Sequence, residues 1–280
     1  MRKLLFTDLD GSLLDHHNYD YSPALPAIKV LQTQHVPWIL TTSKTAEEVV
    51  DIRHQLDNPY PFIVENGAGI FWPKGSMTFS EIFRKEWLQS IEILQWQEDY
   101  QYISLNPVLL SDILALTERF RKQFHFIFTG FSEMTVQQVA DCTGLDLVQA
   151  AKAKQRHFSE PLLWQDSDER LQQFKRLMQP YGLQLIKGGR FVHLMGLSNK
   201  GLALRFLADY YHQAWQEPVE TMALGDGSND IPLLEASDYP VVIRSPVNPP
   251  PEVNHSHVMV TREYGPEGWN QAVLNWLQTA

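Results

Sequence analysis

The chain has 280 residues, 44% hydrophobic and 20% charged, enough to bury a sizeable core and unlike the compositions of disordered or fibrous proteins. A net charge of −10 argues against broad nucleic-acid binding, which needs clustered cations, and the lone Cys142 excludes an intramolecular disulfide or a multi-cysteine metal site. With no stretch resembling a membrane span and no secretory pattern at the start, a cytoplasmic protein with neither membrane nor nucleic-acid partner is expected.

Leu4, Leu5 and Phe6 form an unalternated apolar run, as in a strand buried on both faces of a parallel sheet. The run delivers Asp8 and Asp10 to its carboxyl end, where open α/β sheets bind ligands. Residues two apart in an extended chain point the same way, so these carboxylates can converge on one cation and one phosphate while Gly11 turns the backbone. A solvated loop with Asp15, His16, His17 and Asp20 follows, then a helix with Ser22 as N-cap, Pro23 at its first position and Leu25, Ile28 and Leu31 on one face. Residues 37–42 read as a second buried strand ending in hydroxyls, and Thr45 with Glu48 forms a capping-box pattern. Thr42, Ser43 and Lys44 thus lie where a strand meets a helix N-terminus, a place suited to an anion. A third strand over 61–64 enters the turn Glu65-Asn66-Gly67-Ala68-Gly69 and a short hairpin. The order strand, helix, strand, helix, strand is a doubly wound half-sheet.

From about residue 84 the apolar residues become more aromatic and no buried parallel-sheet run recurs until Met222. An α+β insertion is expected over 84–195, with the core formed by 1–83 and 196–280. Within it the pattern predicts a helix from Ser111 and Asp112 to 124, a strand over 125–128, helices over 135–141 and 145–154, and a strand over 159–164. A helix over 167–178 and a hairpin across Gly188 and Gly189 complete it. His193 alternates with Phe191 and Met195 along one face of that hairpin and reads as packed. Lys200 then opens a helix, and a strand over 221–224 ends in Gly225-Asp226-Gly227-Ser228-Asn229-Asp230. Strands over 239–243 and 258–260 and a helix over 267–277, burying Trp269, Val273 and Trp276, close the chain.

Three strand ends therefore carry oxygen-rich turns, with a lysine nearby. Neighbouring carboxylates repel one another and raise their pKa values, and a hard divalent cation such as Mg²⁺ relieves this. The residues resemble the haloacid dehalogenase superfamily of aspartyl phosphotransferases, whose four motifs occur in order as Asp8-Leu9-Asp10-Gly11-Ser12, Thr42, Lys200 and Gly225-Asp226-Gly227-Ser228-Asn229-Asp230. Thr42-Ser43-Lys44-Thr45, Ser159-Glu160-Pro161-Leu162-Leu163-Trp164 and Gly188-Gly189-Arg190-Phe191-Val192-His193-Leu194 resemble the mannosyl-3-phosphoglycerate phosphatase family.

The resemblance implies an α/β fold, a Rossmann-like doubly wound parallel-sheet core with an inserted α+β cap, and a Mg²⁺-dependent phosphatase of a small phosphorylated sugar-glycerate. Asp8 is expected as nucleophile and Asp10 as acid and base, with Mg²⁺ held by Asp8, the Asp10 carbonyl and Asp226, supported by Asp230. Thr42, Ser43 and Lys200 are expected on the phosphate, and Asn229 on Lys200 or the phosphate. Lys44 and Arg190 are expected on a carboxylate, Ser159 and Glu160 on sugar hydroxyls, and Arg156 on either. A glucosyl analogue or another sugar phosphate, a phosphomutase and a non-catalytic sugar-phosphate sensor are the alternatives. The oligomeric state is left open.

Overall fold

β1 (Arg2–Thr7) lacks a polar face because it is sandwiched: Leu4 and Phe6 pack into one apolar layer and Leu5 into the other. Such fully buried side chains each contribute about 1.5–3 kcal/mol relative to exposure. The computed structural model describes residues 1–279 apart from 90, 189 and 248. From β1 the chain runs through α1 (Leu25–Thr33), β2 (Trp38–Thr41), α2 (Ala46–Gln55), β3 (Phe62–Val64), β4 (Gly69–Pro73), α3 (Glu81–Trp87), β5 (Leu94–Trp96) and β6 (Tyr100–Ser104). It continues through α4 (Leu110–Phe124), β7 (Phe128–Gly130), α5 (Val136–Thr143), α6 (Leu147–Ala153), β8 (Ser159–Trp164), α7 (Asp168–Met178), β9 (Leu183–Gly188) and β10 (Phe191–Gly196). It ends with α8 (Lys200–Trp215), β11 (Val219–Gly225), α9 (Ile231–Glu235), β12 (Tyr239–Arg244), β13 (Met259–Tyr264) and α10 (Gly265–Gln278).

Nine strands form one sheet in the order β13-β12-β11-β1-β2-β3-β4-β6-β5, parallel from β13 to β3 and antiparallel beyond. The chain winds outward from β1 to β3 and later from β11 to β13. The reversal between β1 and β11 is the switch point at which open α/β sheets bind ligands. Residues of α1, α2 and α10 pack one face and those of α3, α8 and α9 the other. A separate antiparallel sheet, β7-β8-β10-β9, forms the cap's base, and α4 and α7 bury Ile113, Phe120 and Phe174 with Leu162 and Leu194.

Several local expectations shift. Residues 94–104, expected within the insertion, instead extend the larger sheet as β5 and β6, where Tyr102 stacks on Phe71 with ring centroids 4.8 Å apart and Trp96 meets the same ring edge-on at 5.2 Å. Ser22 does not cap α1: a 3-10 turn, Ser22–Ala24, precedes that helix, and the Ser22 hydroxyl donates to Asp20. α4 begins at Leu110 with no side-chain cap, so Ser111 and Asp112 lie inside it. His125 takes a left-handed conformation that ends α4, which delays the next strand to Phe128. The turn expected at Gly188 and Gly189 joins β9 to β10, with Gly189 outside the described residues.

Candidate active site

The register of the central strands gathers the motif residues. Thr7 aligns with Leu40 of β2 and Leu224 of β11, so Asp8 emerges between the end of β2 and Gly225. The Asp8 N–H donates to the Leu224 carbonyl at 2.8 Å. The Thr7 hydroxyl donates to the Asp8 carbonyl at 2.7 Å and accepts from Trp269 Nε1 at 2.8 Å, which fixes the strand end.

Lys200 occupies the first turn of α8, behind the N-cap Asn199, whose side chain accepts from the Leu202 N–H. A cation is disfavoured at the positive end of a helix, so its place there calls for compensation. The compensation is two carboxylates: Lys200 Nζ donates to Asp8 Oδ1 at 2.7 Å and to Asp230 Oδ1 at 2.6 Å, with no exposed surface. Burial alone would lower the Lys200 pKa, but Asp230 and Asp8 outweigh it and hold the ammonium above its ordinary value. Asp230 Oδ2 accepts the N–H groups of Asp226 and Gly227 at 3.1 and 3.0 Å. Both Asp230 oxygens are thereby engaged.

Asp8, Asp226 and Asp230 are buried and bring one carboxylate oxygen each within 4.8 Å of one another, a group that could hold a metal ion. Burial first, and Asp230 next, push Asp8 well above the usual carboxylate range and raise Asp226 to about 7. One ammonium among three carboxylates leaves the cluster short of positive charge. An all-oxygen donor set deficient by this much suits a hard divalent cation. Gly11, with φ of +76°, leaves the space: an added Cβ would stand 2.6 Å from Asp226 Oδ2. Because Asp230 is fully engaged, Asp8 and Asp226 are the carboxylates suited to direct ligation.

Asp10 points to the other side of the cluster. Its Oδ2 pairs with Lys44 Nζ at 2.9 Å, while its Oδ1 is buried with no hydrogen-bond partner among the described residues. Burial would lower the Lys44 pKa, but Asp10 and then Glu48 hold it above the ordinary value. The Tyr19 ring lies 5.1 Å from the same ammonium. Thr42 is buried and its hydroxyl accepts the Lys44 N–H at 3.2 Å, while the Thr45–Glu48 capping box forms as the sequence predicts. The Ser43 carbonyl accepts from Arg156 at 2.9 Å.

Asp8, Asp10, Thr42, Ser43, Lys44, Lys200, Asp226 and Asp230 thus form one constellation, and Arg156 and Ser159 reach its edge from the cap. Asn229 lies near it, but its Nδ2 donates to Asn66 Oδ1 at 3.2 Å, not to Lys200. Glu160, beside Ser159 on β8, points away: it packs against Gly130 and accepts from the N–H and hydroxyl of Ser132 at 2.9 and 2.7 Å. Arg190, before β10, donates to the Cys142 carbonyl at 2.6 Å. The carboxylates of the loop at 15–20 accept from Ser22 and from the His17 and Asn18 N–H groups, as a solvated loop should. His193 is buried, its Nδ1 without a partner among the described residues, and burial, then Arg156 and Lys200, lower its pKa to about 3, so its ring is neutral at working pH.

Glu65 lies in the turn Glu65-Asn66-Gly67-Ala68, which with the long insertion resembles the capped branch of the superfamily but from which no site residue is expected. It directly follows a buried strand, as Asp8, Thr42 and Asp226 do, and that shared position was the available signal. It has no exposed surface and binds the cap, accepting the His157 N–H at 2.8 Å and the Ser159 hydroxyl at 2.6 Å.

A doubly wound sheet with paired aspartates at its switch point, a buried lysine bridging two carboxylates and an inserted cap defines a hydrolase of the phosphoryl-transfer type. Residues 5–261 match the haloacid dehalogenase-like hydrolase family, and the chain belongs to it. It is 34% identical over 276 residues to a glucosyl-3-phosphoglycerate/mannosyl-3-phosphoglycerate phosphatase of Methanococcoides burtonii, covering 98% of this chain and 97% of that protein. It is 32% identical over 271 residues to a protein of the same name from Persephonella marina, covering 96% and 95%. A phosphatase of the haloalkanoate enzyme superfamily from Bacteroides thetaiotaomicron has a similar fold, with a TM-score of 0.66 at 19% identity over 99% of this chain and 95% of that one. Within the family the chain is a phosphoric monoester hydrolase.

Proposed function

We propose that the protein hydrolyses a glycosyl-3-phosphoglycerate, mannosyl or glucosyl, in a Mg²⁺-dependent reaction that passes through a phosphorylated Asp8. The observation that carries the reading is the arrangement at the end of β1. There Asp8 is bonded to a buried lysine, and Asp10, two residues on, keeps one buried oxygen free for a proton.

Asp8 Oδ2 attacks phosphorus in line and the bond to the glycerate oxygen breaks; the leaving alkoxide takes its proton from Asp10. Asp10, now a carboxylate, takes a proton from water, whose oxygen attacks the same phosphorus. Inorganic phosphate leaves and the Asp8 carboxylate is restored. Thr42, the Ser43 N–H and Lys200 hold the phosphate oxygens, and Lys200 aims Asp8 and favours its ionised form. Asp8, the Asp10 carbonyl and Asp226, with Asp230 supporting, would hold Mg²⁺, which would neutralise phosphate charge.

For the substrate, the support is the names of the two full-length relatives together with Lys44 beside Asp10. An ammonium there suits the glycerate carboxylate, with Arg190 as a second cation from the cap. The test is phosphate release from the purified protein against a panel of sugar phosphates and glycosyl-3-phosphoglycerates. Expected is release fastest from mannosyl- or glucosyl-3-phosphoglycerate and abolished by EDTA. Isomer interconversion without phosphate release, or binding without turnover, would contradict the reading.

A further inference from the structure

The turn Glu65-Asn66-Gly67 is where the cap, the end of β2 and the start of α8 meet. Glu65 and Asn66 both have positive φ, 47° and 58°, left-handed conformations that residues with side chains rarely adopt and that the surroundings must hold in place. Gly67, at φ 93°, packs so closely on the start of α8 that an added Cβ would stand 2.2 Å from the Asn199 carbonyl. The bonds that hold this strained turn run to the site. The Glu65 N–H donates to the Lys44 carbonyl at 3.0 Å, the Asn66 N–H to the Thr42 carbonyl at 2.9 Å, and the Asn66 side chain accepts from Asn229.

The Glu65 carboxylate turns the opposite way, into one short cap segment. It accepts the N–H groups of His157 and Phe158 at 2.8 and 3.2 Å and the Ser159 hydroxyl at 2.6 Å, and Arg156 Nε is ion-paired with it at 3.3 Å. Arg156 then extends to the Ser43 carbonyl. A buried carboxylate whose side-chain partners all come from four consecutive residues of another unit is costly to leave unpaired. It is satisfied only when that segment is seated.

We infer that Glu65 is a positioning residue that locks cap residues 156–159 onto the core beside the loop at 42–44, so that the cap's hold on the part of the substrate beyond the phosphate depends on this carboxylate. Its kinetic consequence rests on the phosphatase reading above; the lock itself does not. Glu65→Gln keeps the size but replaces one acceptor oxygen with a donor, so an N–H of the segment loses its partner. Glu65→Asp keeps both acceptors at a shorter reach.

The test compares wild type, Glu65→Gln and Glu65→Asp by amide hydrogen exchange and by steady-state phosphate release. The substrates are p-nitrophenyl phosphate, too small to need the cap, and mannosyl-3-phosphoglycerate. In Glu65→Gln the amides of His157 and Phe158 are expected to lose about tenfold or more of their protection while those of Phe6 and Leu224 keep theirs. KM for the glycosyl substrate is expected to rise about 10–100-fold, with kcat on the aryl phosphate within about threefold of wild type and partial recovery in Glu65→Asp. Unchanged protection at 157 and 158, or equal losses on both substrates without recovery, would overturn the inference. Should Glu65→Gln not fold, Ser159→Ala read by exchange alone serves instead: a loosened Phe158 amide supports the lock and an unchanged one refutes it. A wild type that turns over neither substrate would remove the phosphatase reading and leave the exchange result standing.

Discussion

Lys200 Nζ lies 2.7 Å from Asp8 Oδ1 with its whole side chain out of contact with solvent. Breaking a buried pair from one side leaves uncompensated charge, so Lys200→Met is expected to lose about 3–5 kcal/mol of stability at neutral pH without metal. The sign of the pH dependence follows from the carboxylates. Asp8 and Asp226 already have raised pKa values when folded, so stability falls as pH rises through them, and without the ammonium the rise is larger. Urea denaturation at pH 5 and pH 8 checks this, with the larger gap between variant and wild type expected at pH 8.

A divalent cation held by Asp226 would bind its ionised form, and burial and Asp230 raise the pKa of that carboxyl to about 7. Metal binding below that pH must therefore expel a proton, and apparent affinity should climb with pH and level off above it. Calorimetric titration of Mg²⁺ in two buffers of different ionisation enthalpy is expected to show proton release at pH 6 and little at pH 8.5. Asp226→Asn should remove both the binding and the release.

The cap carries a second pH-dependent contact. His157 Nε2 lies 3.2 Å from Glu47 Oε1, and that hydrogen bond, opposed by burial, raises the imidazole pKa above its ordinary 6.5. A raised folded pKa gives stabilisation that is complete below the unfolded value and lost as pH climbs through the folded one. The difference in Tm between wild type and His157→Gln should accordingly be larger at pH 5.5 than at pH 8.5. An equal difference at both would remove the ion pair as its cause.

The core was legible because its signals are local. The unalternated run at Leu4 to Phe6, the capping box at Thr45 and the turn at 225–230 each state their role within a few residues, and the sheet order brings the strand ends together. What stayed hidden depends on distant partners. Glu65 followed by Asn66 and Gly67 reads as a turn, and only the cap residue Ser159, 94 positions away, makes its carboxylate a clasp. Glu160 looks equivalent to Ser159 in sequence, but the strand alternation of β8 sends it to Ser132 while Ser159 reaches Glu65. The aromatic texture beyond residue 84 resembled a new unit. In the fold Trp96 and Tyr102 pack against Phe71 and continue the old one.

The division of labour between Asp8 and Asp10 is tested most directly in Asp10→Asn with p-nitrophenyl phosphate, whose leaving group needs no proton from an acid. Loss of the base that activates water should leave the first displacement running and stall the second. The expected result is a burst of p-nitrophenolate stoichiometric with enzyme, and, after acid quenching, mass spectrometry that finds the phosphoryl group on the peptide containing Asp8. Steady release without a burst, with Asp8 unmodified, would contradict a covalent role for that carboxylate.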